Sequence, residues 1–164
     1  MKTRTIFLIL FLLTLLPASL INAQKSDLSG EWKLNKEKSS IADAQLFLSK
    51  ITIQVKTDSL FTTRVYENGN GEEYPFEENL SLDGKDCKIV IYEIPRTSKA
   101  TRSAADGALM IASVTTFNNG NGPEDMTSNE TWKLDNDRRF LTMSFTNKMS
   151  GNETTGTYYF EKAK

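Results

Sequence analysis

The sequence predicts an all-β protein, an up-and-down antiparallel β-barrel of about 8–10 strands, and three observations predict it. Runs that alternate apolar and polar residues, rich in β-branched and aromatic side chains, fill most of the chain after residue 28. Short Gly, Asn and Asp clusters separate these runs, and no segment looks able to form a helix that covers a sheet. Strands with one buried face and no covering helix are best satisfied when the sheet closes on itself, which removes its edges. An immunoglobulin-like sandwich is the alternative, but it needs long crossovers and the junctions here are mostly short.

The first strand is expected over 29–35, where Gly30, Trp32 and Leu34 share one face and Glu31, Lys33 and Asn35 the other. Parity turns Trp32 inward. The segment "KEKSSIADAQLFLSK", Lys36 to Lys50, breaks the rhythm. Ser40 followed by Asp43 resembles a helix cap ahead of Ala44, Leu46, Phe47 and Leu48, so one or two helical turns are expected, as a cover for one end of the sheet or a lid. Strands follow over 49–57, 59–67, 73–82, 87–94, 97–104, 108–117, 127–134, 138–147 and 154–162. The junctions are "TDS", "NGNGE", "DGKD", "PR", "ADG", "NNGNGPEDM", "DND" and "MSGNE", several carrying the Asn-Gly or Asp-Gly pairs that favour tight hairpins.

Period two then sorts the side chains. Ile51, Ile53, Val55, Phe61 and Val65 are expected inside, as are Leu80, Leu82, Ile89, Ile91, Leu109, Ile111, Leu141, Tyr158 and Phe160. "KIVIYEI" and "ALMIASV" are apolar on both faces, which predicts cover on both, from a terminal segment or a second copy. Two NGNG segments about fifty residues apart, from Asn68 and from Asn119, admit either an internal duplication or the ordinary repetition of a meander's turns.

Residues 1–23 carry Lys2 and Arg4, an apolar stretch from Ile6 to Leu16, then Pro17 and a short run ending at Ala23. That order is expected of a signal peptide, the apolar part being too short to span a bilayer, with 24–164 as a single secreted or periplasmic domain. An N-terminal membrane anchor is the competing reading. Without the leader, 164 − 23 = 141 residues remain with formal charge 18 − 21 = −3, acids and bases interspersed. No basic run attracts nucleic acid, and no membrane span is expected. The only cysteine, Cys87, admits no intrachain disulfide and is expected to be half-buried on a strand.

The "G-x-W" of Gly30, Glu31 and Trp32 resembles the opening signature of lipocalins and the wider calycin group, whose barrels hold small apolar ligands. In that group the tryptophan closes one end of the barrel and a basic residue near the chain's end packs across it. The resemblance implies Lys162 or Lys148 for that place, since no arginine follows Arg139. "GEWKLNKEKS", "DGKDCKI" and "YYFEKAK" also resemble motifs of exported bacterial lipocalin-like domains of uncharacterised function, across nearly the whole 24–164 segment.

The chain contains no histidine, which excludes serine and cysteine triads that use one, histidine-bearing metal sites and histidine acid/base steps. With one cysteine, a thiolate zinc site within the chain is excluded too. Glu124, Asp125, Asp135 and Asp137 match no calcium-loop spacing and read as turn residues. The sequons at Asn79, Asn129 and Asn152 matter only in a eukaryotic secretory pathway. Glu78 shares parity with Tyr74, Phe76, Leu80 and Leu82, so it either reaches water at a strand end or is buried against Arg64, Arg96 or Arg102. No second acid of matching parity is evident, so no glycosidase pair, and no enzyme, is expected.

The expected function is non-enzymatic binding of a small hydrophobic or amphipathic ligand, without metal or cofactor, by a monomer or weak homodimer. Tyr74, Phe76, Glu78, Trp132, Met143 and Phe145 are the candidate ligand-binding residues. The alternative is a protein-interaction or cell-surface assembly module that uses its outer face.

Overall fold

The structure is a computed structural model and describes residues 27–41, 45–118, 120 and 122–163. The leader with Ala23 and Gln24, and Asp43 and Ala44 of the expected helical segment, lie outside the described residues. Ten strands follow in order: β1 (Gly30–Leu34), β2 (Leu46–Val55), β3 (Ser59–Asn68), β4 (Glu73–Ser81), β5 (Cys87–Ile91), β6 (Ile94–Arg102), β7 (Leu109–Asn118), β8 (Pro123–Leu134), β9 (Phe140–Met149) and β10 (Asn152–Lys162). Each overlaps one of the ten runs marked out by period two.

All ten form one antiparallel sheet in the order β4-β3-β2-β1-β10-β9-β8-β7-β6-β5. Sequence neighbours pair throughout except β4 with β5, and the first strand pairs with the last through Trp32↔Lys162 and Leu34↔Phe160. The sheet therefore curls into a nearly closed up-and-down barrel whose two edges, β4 and β5, meet along a seam. Side chains close that seam where no ladder does. Tyr92 Oη donates to the Pro75 carbonyl at 2.8 Å, and Glu78 Oε1 accepts from Arg96 Nε at 2.9 Å and from Ser98 Oγ at 2.6 Å.

One end is plugged with apolar side chains. Trp32, Leu28, Ile53, Leu60, Leu80, Leu109, Ile111, Trp132 and Phe160 are almost wholly buried. Trp32 Nε1 donates to the Leu28 carbonyl at 2.9 Å, and Lys162 Nζ lies 5.3 Å from the centre of a Trp32 ring. Gly30 permits this contact, because a Cβ there would lie 2.8 Å from Lys162 Cε and its φ is 140°.

Three expectations fail locally. Where helical turns are expected in 36–50, Lys36 to Lys38 form a turn, Ser40 makes an isolated bridge to Thr157, and Leu46, Phe47 and Leu48 belong to β2. A bulge between Leu48 and Lys50 explains the misreading: it spaces the buried Phe47, Leu48 and Ile51 as a helix face would. The β5–β6 turn falls at Tyr92 and Glu93, both at positive φ (49° and 70°), instead of at Pro95 and Arg96. Pro95 is tolerated inside β6 because the β6–β7 ladder begins only at Arg96, so no partner there requires its missing N–H.

In β3 the parity is opposite to that expected from Phe61. Leu60, Thr62 and Arg64 sit opposite Val55, Ile53 and Ile51 and are fully buried, leaving Phe61 half-buried on the outer face. Val65 is buried nonetheless. On the outer face of the strands apolar on both sides, Val90, Met110 and Val114 are exposed in the single chain, with Thr97 and Lys99 of β6 set between β5 and β7. The first NGNG segment falls on the β3–β4 turn, and the second, of which Asn119 and Asn121 lie outside the described residues, comes between β7 and β8 at the same end of the barrel.

Candidate functional site

Above the apolar plug the barrel is not filled. A cavity of about 460 Å³ opens toward the end that carries the β3–β4, β5–β6, β7–β8 and β9–β10 turns. That volume lies within the range of roughly 300–1,000 Å³ usual for small-molecule sites. Inward positions two residues apart on each strand build it in layers. Nearest the mouth lie Leu46, Tyr66, Tyr74, Phe76, Ile91 and Ile94, with Phe117, Met126, Phe145 and Tyr92 completing an aromatic and aliphatic wall. Tyr66 stacks on Phe76 with centroids 5.9 Å apart, and Phe145 packs against Tyr158 at 5.2 Å.

One step deeper along the strands the chemistry changes. Arg96, Thr115, Ser128 and Glu130 border the cavity, and behind them lie Arg64 and Glu78, each no more than 1% exposed. Four charged groups on four strands form one network. Arg64 Nη1 donates to both Glu130 oxygens, at 2.8 and 3.1 Å, while Arg64 Nη2 lies 3.4 Å from Glu78 Oε2. Glu78 Oε1 takes the bonds from Arg96 and Ser98 that cross the seam, and Arg96 Nη1 reaches Thr115 Oγ1 at 3.2 Å. Trp132 Nε1 donates to Glu130 Oε2 at 2.8 Å, and the Arg64 guanidinium carbon lies 5.1 Å from a Trp132 ring centre.

Burial alone would push the Glu78 carboxyl up. Arg64, Arg96 and the hydroxyl of Ser98 outweigh that and hold it below the ordinary glutamate range. Burial would likewise lower the Arg64 pKa, but Glu130 and Glu78 on either side raise it instead. The phenols of Tyr66 and Tyr158 are pushed up chiefly by burial, so both stay protonated and neutral. Cys87, half-buried at the seam, has its thiol raised by burial.

Of the six candidate residues, Tyr74, Phe76, Met143 and Phe145 line the cavity. Glu78 and Trp132 lie beneath its floor, where they hold the residues that do line it. Glu78 is paired with Arg64 and Arg96 as one reading had it, and Arg102 turns away to donate to the Gly107 carbonyl at 3.1 Å.

Glu130 is the acid of matching parity that the sequence reading overlooks. It shares a face with Trp132 and Leu134, and its arginine comes from a strand 66 residues earlier. Of the acids expected in turns, Asp135 serves one, its Oδ1 accepting from the backbone N–H of Arg139 and Phe140, whereas Glu124 and Asp125 lie in β8, where Asp125 accepts from Thr116 Oγ1 of the paired β7. Among the described residues no three His, Cys, Asp or Glu groups converge as a metal site would require, and no helix is long and apolar enough to cross a membrane.

No protein-family model and no curated protein sequence matches this chain.

Proposed function

We propose that the barrel binds a small hydrophobic or amphipathic molecule without transforming it, as a lipocalin-like carrier exported from the cytoplasm behind a cleaved leader. The open cavity above the ion-pair floor carries this reading, because the interior of a β-barrel can instead be filled by side chains, as in barrels of about eight strands. The Gly30-Trp32-Lys162 arrangement supports the lipocalin-like part: Trp32 plugs one end and a terminal basic side chain crosses it. The absence of any enzymatic step is inferred from the residues at the cavity. Glu78 and Glu130 are both tied to Arg64, which leaves neither as a free acid or base.

Titration with the uncharged fluorophore N-phenyl-1-naphthylamine tests the reading. A saturable rise in emission is expected, suppressed when Thr154→Trp fills the mouth from β10. No saturable signal, together with native mass spectra free of any bound small molecule, would end it. A second reading, an interaction module, draws on the exposed Val90, Tyr92, Met110 and Val114. The same native mass spectra read it directly, as a dimer that dissociates when Val90 and Met110 are replaced by serine.

A further inference from the structure

The ligand-binding reading leaves the class of head group open, and the cavity floor narrows it. Resting on that reading, we infer that this cavity selects an uncharged amphiphile, its polar head a hydroxyl, carbonyl or amide set on Arg96 and Glu130, over a fatty carboxylate with the same tail.

The two ends of the cavity differ in kind. Toward the mouth the wall is aromatic and aliphatic, so a tail belongs there, next to Tyr66, Phe76 and Phe145. At the floor Arg96, Thr115, Ser128 and Glu130 offer donors and acceptors, so a head belongs there. A guanidinium on an apolar cavity would ordinarily suggest an anionic ligand. Here its charge is already matched. Arg64 and Arg96 stand against Glu78 and Glu130, and 2 − 2 = 0.

A carboxylate seated on Arg96 would bring a third anion into this layer. It would lie close to Glu130, lose its water shell and compete with Glu78 for a guanidinium already bonded through Nε at 2.9 Å. An uncharged head escapes each of these penalties. Arg96 has five N–H donors and bonds Glu78 and Thr115 through Nε and Nη1, so it can still donate to a carbonyl or hydroxyl oxygen. Glu130 can accept from a hydroxyl or amide hydrogen: a carboxylate has about four lone-pair sites, and its bonds from Arg64 and Trp132 number three. The floor is thus built for a head that both donates and accepts and carries no charge.

The experiment displaces bound N-phenyl-1-naphthylamine with 1-decanol, decanoate and decyltrimethylammonium at pH 8, using the full-length mature protein. Decanol is expected to displace the probe at a concentration about tenfold or more below that of either ion. Glu130→Gln leaves the floor with one excess positive charge, so decanoate should gain on decanol in that variant by about tenfold.

Decanoate equal to or better than decanol in the native protein would overturn the inference while leaving ligand binding intact. A Glu130→Gln protein that folds but keeps the native decanol-to-decanoate ratio would overturn it as well. If that variant does not fold, the native ratio decides alone. Failure of the probe itself to bind would remove the ligand-binding reading and this inference with it.

Discussion

Gly30 shows how much can hang on one missing methyl group. Its φ of 140° and the 2.8 Å between a notional Cβ and Lys162 Cε mean that a side chain here is strained and also pushes Lys162 off the Trp32 ring. Gly30→Ala should therefore lower stability by about 1–3 kcal/mol, measured by urea unfolding, through backbone strain and the lost cover of the tryptophan. An unchanged midpoint would show that neither contact matters. The lipocalin-like resemblance of the opening strand implied Lys162 or Lys148 as the basic residue over the tryptophan, and the structure seats Lys162 there while Lys148 pairs with Glu153 at 2.7 Å. Glu130 escaped notice for a related reason. Its parity with Trp132 is visible locally, but the Arg64 that makes burial tolerable lies five strands away across the barrel, where no periodicity points.

Among elements, all ten strands could be read from period two and turn chemistry, and the errors share a cause. In β2 a bulge places Phe47, Leu48 and Ile51 at helix-like spacing, and in the β5–β6 hairpin two residues without turn preference occupy the turn. Tyr92 is held there by its bond to Pro75 across the seam, a tertiary contact that outweighs local preference. Glu93, exposed with φ 70°, makes no contact of that kind among the described residues to set against the strain of a left-handed backbone. Glu93→Gly should relieve that strain and raise stability by about 0.5–1 kcal/mol in the same unfolding assay, since glycine adopts positive φ without steric cost. A loss of stability would mean that the Glu93 side chain does more than occupy the turn.

At the scale of the molecule, the barrel has two different closures. β1 and β10 close one by a backbone ladder, whereas the β4–β5 seam is held by Tyr92 on Pro75 and by Glu78 on Arg96 and Ser98. Glu78 also flanks Arg64, so the same carboxylate anchors the cavity floor and ties the seam. Its pKa is depressed in the folded state, so its stabilisation is fully present above the ordinary glutamate value and is lost as pH falls through the lower, folded one. Glu78→Gln removes that anion and leaves two buried guanidiniums facing it undercompensated, which should cost about 3–5 kcal/mol at neutral pH. The acid limb of the stability curve should then be shallower in the variant than in the native protein. Hydrogen exchange separates a local seam from a general core effect. Protection should fall along β4 and the β5–β6 hairpin and persist along β1 and β10, because only the former depend on a side chain for their closure. Uniform loss across all ten strands would instead assign Glu78 to the core as a whole.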